Sequence, residues 1–192
     1  MLLAPVPYAA EWPALFDQMR QEIELGTGLT SIFHIGSTAV TGLWAKPIID
    51  IQLGVPALDR FDPTCLDRCG FTFAPEITRD DAPDGMPPDP ALWRKLYARR
   101  HVQGRRVAHL HIRQIDLPNF RLALLVRDFL RHNTLAAGHY AAFKRQAAQL
   151  TGPSSDAGGT GPYLDLKDPM VGLLILMSET WAQQVNWVVP DR

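Results

Sequence analysis

Residues 32–52, Ile-Phe-His-Ile-Gly-Ser-Thr-Ala-Val-Thr-Gly-Leu-Trp-Ala-Lys-Pro-Ile-Ile-Asp-Ile-Gln, constrain the fold of this chain more than any other stretch. They read as a strand ending in His34-Ile35, a tight polar turn at Gly36, Ser37 and Thr38, a short helical segment, and a second strand over residues 47–55. Side chains alternate along a strand, so Ile48, Asp50 and Gln52 share one face and Ile49, Ile51 and Leu53 the other. One face therefore goes to core, and the other presents an acid and an amide. A carboxylate within so apolar a run is costly to bury unless it is paired or metal-bound.

The turn has its own chemistry. Gly36 has no Cβ, so the backbone there approaches a ligand closely. Ser37 and Thr38 add hydroxyls and exposed N–H groups where a helix begins, which favours an anion such as phosphate. A simple N-cap is the alternative. His34 is read as a base, as an orienter of a neighbouring group, or as a satisfied strand histidine.

The rest of the chain is asked what it brings to that acid and that turn. Residues 11–25 carry Trp12, Leu15, Phe16, Met19 and Ile23 at helical spacing, an amphipathic helix ended by Gly26 and Gly28. Residues 58–69 read as a second helix, capped by Asp62 with Pro63 following and stopped by Gly70, before a short strand at 71–73. Residues 74–90 are an acidic, Pro-rich loop, read as a surface connection in preference to a lid. Residues 92–100 and 106–113 form a hairpin around Gln103-Gly104. It is basic, with Arg94, Lys95, Arg99, Arg100, Arg105, Arg106 and Arg113. Such charges protect an edge or make a phosphate-facing wall, for which Lys95 and Arg113 are the candidates. His109 and His111 share one strand face. They would ligate a divalent metal, donate to phosphate, or bond within the sheet.

From Asn119, taken as a cap, the pattern turns helical, with Phe120, Leu124, Val126, Phe129 and Leu130 on the buried side. Arg127 and Arg131 share a face beside Asp128. A helix over 135–150 carries Tyr140, Phe143 and Lys144, residues 151–161 read as flexible, and a last helix covers 167–184. Its apolar run at 170–177 is core or a subunit contact, so a homodimer stays open.

Composition sets outer bounds. With 192 residues, 46% of them hydrophobic, one core is expected and no second domain boundary is seen. A formal charge of −1 gives no global attraction to nucleic acid or anionic membrane. No run approaches the roughly 18 apolar residues of a membrane span. The first residues lack a basic start and apolar stretch, so a cytoplasmic location is expected. Cys65 and Cys69 then read as reduced thiols.

A Gly-Ser pair, a short spacer and an acid on an apolar strand resemble the nucleotidyltransferase superfamily built on the polymerase-beta core. The run from His34 to Ile51 more closely resembles the signature of the GrpB family. Ala39 and Thr41 depart from that family's usual Ser-Val-Pro-Gly-Leu. His109-Leu110-His111, Arg127 to Arg131, Tyr140 to Lys144 and Tyr163 to Lys167 fit as well. The resemblance implies an α/β (α+β) nucleotidyltransferase-like mixed sheet flanked by helices with a C-terminal helical half. It forms a single domain over 1–192, divided as an α/β core at 1–117 and a helical half at 118–192. It implies a cleft binding a nucleotide or another phosphorylated small molecule with a divalent ion (Mg²⁺, Mn²⁺ or Zn²⁺), and nucleotidyl transfer to an unspecified acceptor. Asp50 would hold the metal and act in catalysis with His34, and His109 and His111 would complete the metal site. Gly36, Ser37, Thr38, Lys46, Arg113, Arg127, Arg131, Lys144 and Lys167 would hold phosphate. The superfamily carries two acids two apart on one strand and a third on a later strand. Here Gln52 takes the second position and the later strand offers histidines, a set better suited to Zn²⁺, Mn²⁺ or Fe²⁺ than to two Mg²⁺ ions. A non-catalytic binding or regulatory module on the same fold, or a His/Asp metal-dependent hydrolase, are the alternatives.

Overall fold

The computed structural model describes residues 2–152, 154–155 and 161–191. Part of the stretch read as flexible, residues 153 and 156–160, lies outside the described residues. The elements in order are β1 (Leu2–Leu3), α1 (Trp12–Thr27), β2 (Ile32–Ile35), β3 (Ile49–Val55), β4 (Thr72–Phe73), β5 (Leu96–Val102), β6 (Arg105–Gln114), α2 (Pro118–His132), α3 (Thr134–Thr151), β7 (Ser154–Ser155) and α4 (Pro162–Val185). Five strands make a mixed sheet in the order β2-β3-β6-β5-β4, and β1 pairs with β7 apart from it. Only the β3–β6 pair is parallel; the other neighbours in the large sheet are antiparallel. This is the expected α/β architecture with its helical C-terminal half.

Register divides the sheet into an apolar and a functional face. Ile49, Ile51 and Leu53 of β3 and Ala108, Leu110 and Ile112 of β6 pack under Trp12, Phe16, Met19 and Ile23 of α1. These helix positions recur at helical spacing, so one stripe of α1 is buried and its other side is solvated. On the opposite face Asp50 stands beside His109, Gln52 beside His111, and Gly54 beside Arg113. Phe33 and Ile35 of β2 continue that face and are covered by Phe120 and Leu124 of α2. Each large apolar side chain so buried contributes about 1.5–3 kcal/mol. Phe129, Leu130, Ala137, Tyr140 and Leu174 then join α2, α3 and α4 in a second cluster with Val40 and Leu43.

Some boundaries differ from the sequence reading. Residues 58–69 are two 3-10 turns, Leu58–Arg60 and Pro63–Cys69, because Asp62 is extended and Pro63 carries no N–H to continue a helix. The expected cap survives: Asp62 accepts from the Thr64 N–H at 2.9 Å, and Gly70 ends the turn at φ +70°. Leu117, not Asn119, caps α2. The Asn119 amide instead donates to Asp80 and to the carbonyls of Trp93 and Arg94. Helix α4 begins at Pro162, since proline tolerates the first helical turn. Of its apolar run, Leu174 and Ile175 are buried, while Leu173, Leu176 and Met177 are exposed. Among the described residues no helix is long and apolar enough to cross a membrane.

Candidate functional site

The polar face of the sheet is the floor of a cleft of about 650 Å³ roofed by α2, α3 and α4. Its first wall is the β2–β3 connection. Gly36 sits at φ +69°, a backbone region that side chains rarely adopt, and a Cβ there would collide with the Asp50 carboxylate. Glycine at this position therefore lets the turn close over the acid. Ser37, in the turn that follows, presents its hydroxyl to Lys144 Nζ at 2.5 Å.

Asp50 is the centre of the floor, its side chain 29% exposed to the cleft. His109 Nδ1 lies 3.1 Å from its Oδ1 and His111 Nε2 3.9 Å from the same atom. His111 Nδ1 faces the Arg113 guanidinium at 3.5 Å. A guanidinium only donates, so Nδ1 is the accepting nitrogen and the Nε2–H points to Asp50. The far nitrogen of His109, Nε2, is buried and has no hydrogen-bond partner among the described residues. Burial alone would raise the Asp50 carboxyl, but the imidazole hydrogen bonds outweigh it and hold the group well below the usual carboxylate range. Burial pushes His111 down to about 4, so it is neutral at pH 7. One ligand atom from each of Asp50, His109 and His111 can be chosen so that the three fall within 4.8 Å of one another. One carboxylate and two imidazoles at that spacing are a donor set suited to a single borderline divalent ion, provided that His111 changes tautomer, freeing Nε2 as ligand and giving up its contact with Arg113.

The opposite wall is cationic. Lys144 is only 4% exposed and, among the described residues, has no ion-pair partner. Burial, with the nearby Lys167 charge, brings its amine down to about 7. Lys46 lies over the Tyr163 ring at 5.4 Å. Burial pushes the Tyr163 phenol up to about 12 and raises Tyr140 as well, so both remain protonated.

At the far end, Asp80 from the 74–90 loop accepts from Lys95 at 2.5 Å, from Arg113 at 2.9 Å and from Asn119 at 3.0 Å. Burial would raise this acid, but Arg113 and Lys95 hold it well below its ordinary range. Arg113 also donates to Gln52 Oε1 at 2.6 Å, and Gln52, fully buried, donates to the Phe120 carbonyl at 3.0 Å. Position 52 is thus a hydrogen-bonded strut between β6 and α2, and Arg113 is neutralised within the protein.

The structure gathers Gly36, Ser37, Thr38, Lys46, Asp50, His109, His111, Arg113, Arg127, Lys144 and Lys167 around this one cleft. His34 and Arg131 stand outside it. His34 stacks on Phe16 with ring centroids 4.7 Å apart and shares a hydrogen bond with Thr38 Oγ1 at 2.9 Å. Burial brings its imidazole down to about 4. Arg131 donates to the Ala39 carbonyl, and Arg127 to the His34 carbonyl and to Asp128. These two arginines tie the turn to α2. Elsewhere the basic hairpin is paired away from the cleft, as Arg94–Asp59, Arg99–Glu76 and Arg100–Glu22.

Asp80 is the cleft residue the sequence reading missed. Its loop has no periodicity to place it. The available signal was electrostatic: Lys95 and Arg113, if buried on a sheet face, require a counter-charge from somewhere.

Comparison with known proteins gives a consistent picture. A family profile described as GrpB protein matches residues 4–175. A UPF0157 protein of Halalkalibacterium halodurans is 34% identical over 149 residues, 74% of this chain and 67% of that protein. A dephospho-CoA kinase of Mycobacterium tuberculosis is 31% identical over 201 residues, 95% of this chain but 47% of that protein. The crystal structure of the conserved protein GrpB from Enterococcus faecalis superposes with a TM-score of 0.72 at 27% identity, covering 92% of this chain and 99% of that one. The chain spans less than half the length of several curated relatives it matches.

Proposed function

The chain belongs to the GrpB family, and on that premise we propose that its cleft binds a nucleotide or another phosphorylated small molecule together with one divalent cation. One observation carries this reading. The Asp50–His109–His111 cluster faces, across one cleft, a wall holding Ser37, Lys46, Lys144 and Lys167. A buried lysine without a carboxylate partner is an incomplete electrostatic arrangement, and a phosphate dianion completes it.

The residues divide the work. Ser37 and Lys144 donate to phosphate oxygens, with Lys46 and Lys167 adding charge. Asp50, His109 and His111 would hold the cation, which when bound supplies Lewis-acid polarisation of a phosphoryl oxygen. Gly36 keeps the turn against Asp50, and His34, Arg127 and Arg131 fix that turn from behind. The antiparallel β2–β3 unit with Gly-Ser at its turn and Asp50 on the facing strand supports placement in the nucleotidyltransferase superfamily, and transfer of a phosphorylated group is the proposed reaction. Likeness to a dephospho-CoA kinase is in keeping with a phosphorylated ligand. Kinase chemistry is not carried over, since the sequence contains no Gly-Lys step of a phosphate loop.

Binding without turnover is the second reading, favoured by Gln52. A second metal-binding acid would stand there, and the position is instead filled by a neutral amide tied to Arg113 and Phe120.

Calorimetric titration of inorganic phosphate and a nucleotide panel, with and without Mg²⁺, Mn²⁺ or Zn²⁺, tests the site. Wild type should bind, Lys144→Met should bind at least about tenfold more weakly, and Asp50→Asn should lose any enhancement by metal. No binding with any metal would overturn the proposal. Binding without consumption of nucleoside triphosphate would select the second reading.

A further inference from the structure

The cleft has two chemically different halves. Its cationic end is made by Ser37, Lys46, Lys144 and Lys167. The remainder of its roof is aliphatic. Leu122, Ala123, Val126 and Leu130 recur along one face of α2, and Leu164, Val171 and Ile175 along one face of α4. Ala123, Val126, Leu164 and Val171 are only half-buried, so they still offer apolar surface to a ligand. These side chains lie across the cleft from the Asp50 floor.

Little in that half suits a nucleobase. Apart from the two histidines, the rings of the lining are Trp93, Tyr140 and Tyr163. Trp93 is 2% exposed and its Nε1–H is spent on the Pro87 carbonyl. Tyr140 stacks on Phe143, and Tyr163 lies under Lys46. Trp93, Tyr140 and Tyr163 are all buried, so none of these three rings offers an open face for stacking. The polar groups at the far end, Asp80, Lys95, Arg113 and the Asn119 amide, are hydrogen-bonded to one another. Of these groups, Asn119 Oδ1, buried and without a hydrogen-bond partner among the described residues, is left as a single acceptor, too little to read the edge of a base.

Resting on the anion site proposed above, we infer that the ligand is an aliphatic organophosphate: a phosphate held at Ser37, Lys144 and Lys167, with an alkyl or acyl body lying between α2 and α4 over Val126 and Val171. The charge and the apolar surface are arranged end to end for such a molecule, and the volume of the cleft lies within the range of small-ligand sites. The reactive end then sits beside Asp50, and the body selects the substrate by hydrophobic burial.

The test is a ladder. Inorganic phosphate, methyl, butyl and octyl phosphate, and AMP as the nucleotide comparator, are titrated calorimetrically into the wild-type chain with and without Mn²⁺. Affinity should rise about two- to fourfold per methylene, and octyl phosphate should bind more tightly than AMP. Val126→Asp, which places a charge on the half-buried roof, should flatten the series. Equal affinities along the ladder, AMP binding more tightly than octyl phosphate, or an unchanged slope in Val126→Asp would each overturn the inference while leaving the anion site in place. No binding by any member, inorganic phosphate included, removes the anion site itself and the inference with it.

Discussion

At the scale of single residues, Lys144 sets function against stability. Its amine falls from an ordinary 10.5 to about 7 on burial. Between those values the unfolded chain holds a proton that the folded chain does not, so for this group stability rises with pH across that window. Below about 7 the penalty is present in full. Lys144→Met should therefore stabilise the protein at pH 6 by about 2 kcal/mol, after allowing for the bond lost from Ser37. The gain should shrink as pH approaches 10, while phosphate affinity falls at every pH. Thermal melts of the two proteins across pH 6–10 check this, and a wild type more stable than the variant at pH 6 would contradict it. Gly36 is the complementary case. Gly36→Ala meets both a positive φ and the Asp50 carboxylate, and should destabilise the chain by about 2–3 kcal/mol in denaturant titration. A loss under about 0.5 kcal/mol would mean that the turn relaxes away from the acid.

At the scale of elements, the loop before β5 is held by one carboxylate. Asp80→Ala leaves Lys95 and Arg113 buried without their counter-charge and should cost about 3–5 kcal/mol. Because the Asp80 carboxyl is held below its unfolded value of 3.8, its contribution is complete above about pH 4 and is lost as pH falls. The stability gap between wild type and Asp80→Ala should narrow below pH 4, as denaturant titrations at pH 3 and pH 7 would show. This loop also marks the limit of what the sequence reveals. Periodicity was enough for α1, whose Trp12, Phe16, Met19 and Ile23 all face the sheet. Alternation was enough to set Asp50 and Gln52 on one strand face and His109 and His111 on another. Their adjacency depended on the parallel β3–β6 register, which local pattern does not contain. The family resemblance led to the cleft residues Ser37 and Lys144. It did not distinguish them from Arg131, which reaches a turn carbonyl instead, and only the direction of a side chain separates the two. Asp80 was missed and Asn119 misread as a cap for the same reason: their partners lie far away in sequence.

At the scale of the molecule, the sheet has two coverings and needs both. The apolar face is closed by α1, but the face carrying Phe33, Ile35, Gln52 and Arg113 is closed by α2 and the helices that buttress it. Gln52 donates to the Phe120 carbonyl and Asn119 to Asp80, so polar groups buried in the first 117 residues find their partners beyond residue 117. A chain ending there would leave Gln52 short of a partner and bare the ring of Phe33 and the side chain of Ile35 to water. The α/β half should therefore not fold alone, and the intact chain should melt in a single transition with equal calorimetric and van't Hoff enthalpies. Residues 1–117 expressed alone should lack amide protection in β3 and β6, the central strands, which should be strongly protected in the intact chain. Protected β3 and β6 amides in that fragment would show instead that the helical half is a separable domain. The cleft would then be an interface between two folding units, open to regulation by their docking.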